Sequence, residues 1–393
     1  MFSLNCKNLF LLRMMIIGIT FLLFAIYAGL LIYYRQSWLQ IPIVNPPMST
    51  ENTVKTYISI IIPARNEEDN ISSCLQSVTN QSYPKNLFET IVVDDFSTDM
   101  TGEIVKSFAE KNILLISLKD FTEEGSLNSY KKKAIEVAIS KSKGDLIVTT
   151  DADCIVPTLW LQTIASAYEN RKPAFIAAPV SYHSENNFLK IFQSLDFMTL
   201  QGITGASVFK KFHSMCNGAN LAYEKKAFLK VGGFTGIDNI ASGDDMLLMH
   251  KIAKEYPDRI LFLKSSDAIV QTKTVETLKD FFNQRIRWAS KADKYTDKKI
   301  TAVLLLVYLF NAWMLFIGIF SIFYSSVFFL FIGVLIAKTI IELFFLYPIA
   351  KFFKKEKLLW WFPLAQPFHI LYTVIAGWLG KFGTYKWKQR QVK

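Results

Sequence analysis

Hydrophobic positions along this chain fall into two regimes. Four windows are apolar almost without a break, and between the first and second lies a long stretch where short apolar runs alternate with polar segments. The first window, Met14–Tyr34 ("MMIIGITFLLFAIYAGLLIYY"), meets the ~20 apolar residues that a bilayer core requires. Ile300–Tyr324 and Val327–Ala350 are long enough as well. Leu358–Leu379 is interrupted by Pro363, Gln366, Pro367 and His369, which predicts a spanning, re-entrant or interfacial segment. The first window exceeds the roughly 7–15 apolar residues of a signal peptide, and no A-x-A site follows it. It reads as an uncleaved anchor.

In the mixed stretch the period changes from segment to segment. "TYISIIIPARNEEDNISSCLQSV" opens with a β-branched run, Ile58–Ile62, breaks at Pro63, and resumes with helical spacing at Ile71, Leu75 and Val78, with Asn70 as a candidate cap. "FETIVVDDFSTDMTGEIVKSFAEK" repeats the form as a strand Thr90–Val93, an acidic turn and a helix through Ile104, Val105 and Phe108. "NILLISL" is a third strand, and "KKKAIEVAISKSKGDLIVTTDADC" gives a helix, Gly144 and a fourth strand. Alternation of this kind predicts an α/β fold with a mostly parallel sheet covered by helices. The expected organisation is an anchor at 1–35, a Pro-rich linker at 36–56, an α/β domain at 57–295, membrane or interfacial helices at 296–380 and a basic tail at 381–393.

Composition narrows the class. The formal net charge is +11, and lysine and arginine gather at "KFFKKEK" and "KFGTYKWKQRQVK", beside the apolar windows. That placement suits anionic headgroups and the positive-inside rule; no nucleic-acid motif accompanies it. It predicts an α/β domain on the cytosolic side. The four cysteines, Cys6, Cys74, Cys154 and Cys216, have no metal or disulfide spacing, which is compatible with a reducing compartment. Oligomeric state is left open by the sequence.

Candidate chemistry sits where strands end, because ligands of open α/β sheets bind outside the carboxyl ends of the strands. Asp151 and Asp153 follow "GDLIV" in D-x-D spacing, and two like charges beside a buried strand call for a cation or a partner. Mg²⁺ or Mn²⁺ suits such oxygen donors; a solvated Asx turn is the plain alternative. Asp94 and Asp95 face opposite ways at the end of a strand, so one can bind a ligand while the other caps a turn. Lys131, Lys132 and Lys133 can neutralise a diphosphate or form a solvated basic face. In "SGDDMLLMHKI", Ser242, Asp244 or Asp245 can cap a helix, or one carboxylate can serve as a general base. "QRIRW", 284–288, reads either as an interfacial Trp with snorkelling Arg or as part of a site. His183, His213, His250 and His369 show no ligand spacing and read as structural or surface residues.

The segments "SIIIPARNEE", "IVVDDFSTD", "KKKAI", "TTDADC", "NGANLAY", "GGF", "SGDD" and "QRIRW" occur in one order over Tyr57–Trp288. That ordered set resembles the membrane-bound inverting glycosyltransferases of family 2. The resemblance implies a GT-A fold, a nucleotide-sugar donor (a UDP-sugar by preference), a lipid or glycan acceptor and a divalent metal. By position it assigns Pro63, Ala64, Arg65, Glu67, Asp94, Asp95, Lys131 and Asp151 to the nucleotide-sugar, and Asp153 with Asp151 to the metal. Asp245 would be the base, with Asp244 and Arg287 beside the chemistry. Asn217, Gly218, Gln284, Arg285, Arg287 and Trp288 would serve the acceptor or the departing diphosphate. Two departures stand out: Tyr130 where a glycine often precedes the lysine, and Asp244 where glutamate is usual. The resemblance admits single transfer to a lipid, processive polysaccharide synthesis, or a scaffold that has lost the reaction.

Overall fold

The computed structural model describes residues 6–46, 55–108, 112–183, 185–213, 215–291, 297–382, 385–387 and 390–392. Residues 47–54 of the expected linker, and 383–384, 388–389 and 393 of the expected basic tail, lie outside the described residues. The chain forms two compact units, one of Gln40–Val275 with Lys386–Lys393, the other of Met1–Leu39 with Glu276–Tyr385.

The first unit is built on a sheet of seven strands: β1 (Ile58–Ala64), β2 (Phe88–Asp94), β3 (Ile113–Ser117), β4 (Leu146–Thr149), β5 (Phe175–Ala177), β7 (Leu221–Glu224) and β8 (Ile260–Phe262). Their spatial order is β3-β2-β1-β4-β7-β5-β8. Pairing is parallel except on both sides of β7, which runs antiparallel to β4 and β5. β6 (Val180–His183) and β9 (Val270–Lys273) form a separate parallel pair. Strands β1, β2 and β4 are near-continuous apolar runs because both faces are covered. Helix Tyr130–Lys141 packs on β1 and β2, and helix Met246–Glu255 on β5.

Two details differ from the sequence reading. β1 continues through Pro63 to Ala64 and pairs with β2 along its whole length. On its other side, register with β4 ends at Ile61↔Thr149. A residue without an N–H therefore removes no ladder bond at position 63. Asn70 stands at the start of helix Ile71–Thr79 but makes no side-chain capping bond. Its amide donates to Glu67 Oε2 at 2.8 Å instead.

Reversal of β7 has a consequence for the rim. In register, Leu221 at the start of β7 lies opposite Thr149 at the end of β4. The segment that precedes β7, Asn217–Asn220, thus reaches the same edge as the segments that follow β1, β2 and β4. Asn220 locks that approach: its side chain accepts from Trp160 Nε1 at 2.9 Å and donates to the carbonyls of Pro179 at 2.8 Å and Ala268 at 2.7 Å.

Among the described residues, the second unit holds four helices long and apolar enough to cross a membrane, within Arg13–Gln40, Lys298–Phe320, Ser325–Phe353 and Glu356–Lys381. The last is continuous from Phe362 to Phe382 despite Pro367 inside it. Inside this unit Lys338 Nζ bonds Glu342 Oε1 at 2.6 Å and Gln366 Oε1 at 2.8 Å, and Glu342 also accepts from Gln366 and the Tyr27 hydroxyl. Trp313 Nε1 donates to Thr20 Oγ1 at 2.8 Å. These polar side chains thus satisfy one another, as a medium without water favours.

One backbone approach in the first unit admits only glycine. A Cβ on Gly144 would stand 2.5 Å from Ser59 N and 2.9 Å from Ile58 C. Gly144 N–H donates to Ser59 Oγ at 2.8 Å, and that hydroxyl donates to buried Glu89 at 2.6 Å. Gly144→Ala is expected to cost about 1–3 kcal/mol through strain between β1 and β4, read as a lower melting temperature of the detergent-solubilised protein.

Candidate active site

Lys131 lies in the first turn of helix Tyr130–Lys141, and its ammonium sits between carboxylates from two other segments. Nζ is 2.7 Å from Asp151 Oδ1, just past β4, and 3.1 Å from Asp244 Oδ2, in the loop before helix Met246–Glu255. The Lys131 side chain is 22% exposed and that of Asp244 13%, so this pair is largely shielded from water, whereas Asp151 at 35% is partly solvated. Burial alone would lower the Lys131 pKa. The charges of Asp151, Asp244 and Asp245, with the hydrogen bond to Asp151, outweigh it and hold the pKa well above the usual lysine value. The cation is therefore permanent.

Asp245 completes the cluster. Its Oδ1 accepts from Met246 N at 2.7 Å at the helix N-cap, and its Oδ2 accepts from Gly218 N at 3.2 Å. A carboxylate offers about four lone-pair sites, so two such bonds orient it and leave capacity to take a proton. Gly218 belongs to the segment that antiparallel β7 brings to this edge. Its neighbour Asn217 accepts from Ala219 N at 2.9 Å, which shapes the turn.

Asp153, two residues beyond Asp151, has Oδ2 3.4 Å from the Thr272 hydroxyl of β9 and Oδ1 3.5 Å from Cys154 Sγ. Cys74 Sγ lies 3.7 Å from the carbonyl of Asp151. Burial pushes the Cys74 and Cys154 thiols up, and the charges of Asp153 and then Asp151 push them further. Both thiols are buried, so the ligand atoms on offer at the rim are carboxylate oxygens. That donor set suits a hard divalent ion, which commonly takes one or two carboxylates and fills its shell with water and phosphate oxygens. Among the described residues no group of three or more His, Cys, Asp or Glu gathers as a ready-made cage.

The other rim residues form an adjoining network. Asp95 N–H bonds Ala64 O at 2.8 Å, next to Pro63 at the end of β1. Arg65 Nη1 donates to the Asp95 carbonyl at 2.8 Å, and Nη2 reaches Glu124 at 3.1 Å. Asp94 Oδ1 accepts from Ser97 N at 3.1 Å, so the two adjacent aspartates divide their work: Asp94 caps a turn while Asp95 meets Arg65. Glu67 N–H donates to Thr101 Oγ1 at 2.7 Å. Lys273 Nζ joins β9 to Asn70, the partner of Glu67, at 2.5 Å.

Gln284, Arg285, Arg287 and Trp288 lie on helix Leu278–Ala289 of the other unit. There Arg285 is buried rather than snorkelling, its guanidinium 4.3 Å from the Trp288 ring centre and 4.8 Å from that of Phe281. Its Nη1 donates to Gln284 Oε1 at 3.0 Å. His213 is buried against Ser207 Oγ at 3.0 Å, in keeping with a structural residue. The sequence reading gave no role to Thr272, because no motif marks a hydroxyl that only a second small sheet brings to Asp153.

Gly218 carries a direct test of the cluster. A Cβ there would sit 3.4 Å from both Asp244 Oδ2 and Lys131 Nζ, which is ordinary contact. Gly218→Ala is expected to keep the melting temperature within about 2 °C. Gly218→Val, whose γ-methyls wedge between Lys131 and Asp244, is expected to lower stability by about 1–3 kcal/mol; thermal unfolding of both variants checks this.

Comparison with known proteins agrees with this architecture. The sequence profile of Glycosyl transferase family 2 matches residues 59–232, and that of Glycosyl transferase family group 2 matches residues 146–379. Probable glycosyltransferase YdaM of Bacillus subtilis (strain 168) is 28% identical over 248 residues, which are 62% of this chain and 57% of YdaM. A Methanococcus voltae protein, dolichyl N-acetyl-α-D-glucosaminyl phosphate 3-β-D-2,3-diacetamido-2,3-dideoxy-β-D-glucuronosyltransferase, is 30% identical over 151 residues, 37% of this chain and 46% of that protein. The chain thus spans about half the length of these relatives. Among solved structures, the mannosyltransferase PcManGT of Pyrobaculum calidifontis superposes with a TM-score of 0.57 at 19% identity, covering 92% of this chain and 99% of that one. That likeness shows the fold, a GT-A sheet with long apolar helices. The chain belongs to glycosyltransferase family 2.

Proposed function

We propose that this chain moves one sugar from a nucleotide-diphosphate sugar, preferably a UDP-sugar, to the hydroxyl of a lipid or lipid-linked acceptor at the cytosolic face of a membrane, with inversion. The observation that carries the reading is the Lys131 ammonium bridging Asp151 and Asp244, one residue from oriented Asp245. A cation beside carboxylates at the carboxyl edge of the sheet is what a diphosphate donor needs.

Each residue then has a task. Asp245 takes the proton from the acceptor oxygen as that oxygen bonds the anomeric carbon. The bond from that carbon to the diphosphate breaks, and the nucleoside diphosphate leaves with the electron pair. Lys131 stabilises the charge gathering on the leaving group, and Asp95, Arg65 and Glu67 shape the nucleoside end. A divalent ion, Mg²⁺ or Mn²⁺, held by Asp153 and Asp151 would supply further charge neutralisation at the diphosphate. PcManGT was solved with GDP-Man and Mn²⁺. A donor screen should therefore carry both UDP- and GDP-sugars.

A lipid-linked acceptor is supported by the four apolar helices and by the acceptor for which the Methanococcus voltae relative is named. Single transfer is favoured over processive synthesis because Lys338, Glu342, Gln366 and Tyr27 bond each other within the helical unit. A polymer conduit would need such groups facing an aqueous passage.

Purified protein in detergent is expected to release nucleoside diphosphate in a Mn²⁺-dependent manner and to label an extracted lipid with one sugar; a ladder of products would exclude single transfer. Asp245→Asn should lower transfer by about 10²–10⁴-fold while donor affinity stays within about threefold; normal turnover would remove it as the base. Asp153→Ala should weaken donor binding in the presence of Mn²⁺ and leave metal-free binding alone. Unchanged Mn²⁺ dependence would remove it as a ligand.

A further inference from the structure

Lys132 is the neighbour of Lys131 and behaves in the opposite way. It is among the largest fully buried side chains, 1% exposed, in a run of three lysines that composition alone would place in solvent. A buried ammonium is strongly unfavourable unless its donors are met. Its Nζ lies 2.6 Å from the carbonyl of Ile237, 2.6 Å from that of Ile240 and 3.1 Å from that of Ser242. An ammonium has three N–H groups, and here three carbonyls from one short segment converge on it.

That segment is the second half of the loop that delivers Asp244 and Asp245. Its first half is held by other means: Lys251 Nζ bonds the carbonyls of Gly233 at 2.6 Å and Thr235 at 2.8 Å, and Phe234 N–H reaches Glu136 at 3.3 Å. Gly236 and Gly243, both with φ above +80°, bracket the stretch with left-handed turns that favour glycine. Lys132 closes it. Because Lys131 and Lys132 are consecutive on one helix, a single turn holds the loop's backbone through one ammonium and the loop's carboxylate through the other.

We infer that Lys132 is a positioning residue for the proton acceptor: its carbonyl cage sets the place and orientation of Asp244 and Asp245 relative to Asp151. Displacement of a reacting group by about 1 Å is enough to lower a rate by ~10²-fold. The donor subsite rests on β1, β2, β4 and Lys131, so it keeps its shape when the cage is lost. The inference rests on the reading of Asp245 as base, and its tests are chosen so that the two can fail separately.

Lys132→Met keeps the length and removes the donors; Lys141→Met, at the exposed end of the same helix, serves as the control. In Lys132→Met, kcat is expected to fall about 10²-fold with the donor Kd within about threefold, and amide exchange across 237–245 to speed at least tenfold. Lys141→Met should match the wild type on all three. A wild-type kcat in Lys132→Met, or kcat and donor affinity falling in step, would overturn the inference. Reductive methylation of the native wild-type protein gives a readout that no variant's folding can obscure. Lys132 should stay unmodified while Lys133 reacts, and ready methylation of Lys132 would contradict the cage. If the wild type transfers sugar from no donor, the proposed function falls, while exchange and methylation still decide the cage.

Discussion

The first unit depends on keeping carboxylates together that would otherwise repel. Asp151, Asp244 and Asp245 come from two separate segments, and the Lys131 ammonium is what lets them share one rim. Without a cation, like charges at this spacing in partly desolvated surroundings push one another towards the protonated form. The ammonium 2.7 Å from Asp151 and 3.1 Å from Asp244 offsets that repulsion. The electrostatics that would serve the diphosphate leaving group are thus already present in the protein alone, as preorganised sites require.

Topology explains why these segments meet. Parallel β1, β2 and β4 deliver the Pro63–Glu67 turn, the Asp94–Asp95 turn and the Asp151–Asp153 turn to one edge. Antiparallel β7 adds its preceding residues to the same edge, which gives Asp245 the Gly218 N–H. The small β6–β9 pair adds Thr272 beside Asp153. Reversing a single strand thus supplies the N–H donor that orients Asp245.

Much of this was legible in the chain. Strand runs such as "TIVVDD" and "GDLIVTTDADC" carry their own terminators, so the acidic turns could be assigned to the carboxyl edge before any coordinates. The ordered motifs then identified the family. What escaped was non-local. The reversal of β7 leaves no mark in "NLAYEKK", so the reach of Gly218 to Asp245 could not be read from spacing. The lysine run looked uniform, yet Lys131 meets carboxylates and Lys132 meets carbonyls, because consecutive helical positions point about 100° apart. Pro63 looked like a strand breaker and is not one, since β4 has already ended on one side of it while pairing with β2 continues on the other. Arg285, read from the sequence either as an interfacial side chain or as part of a site, is buried with its guanidinium over the Phe281 and Trp288 rings.

A double-mutant cycle on the bridge itself tests the central claim most directly. Lys131→Met, Asp244→Asn and the pair would be compared through the opening free energy of the Gly218 and Met246 amides, followed by hydrogen exchange in the full-length protein. If Lys131 unites the rim, the two substitutions couple by about 1 kcal/mol or more. If their effects simply add to within about 0.3 kcal/mol, the ammonium does not hold the cluster and the account fails at its centre.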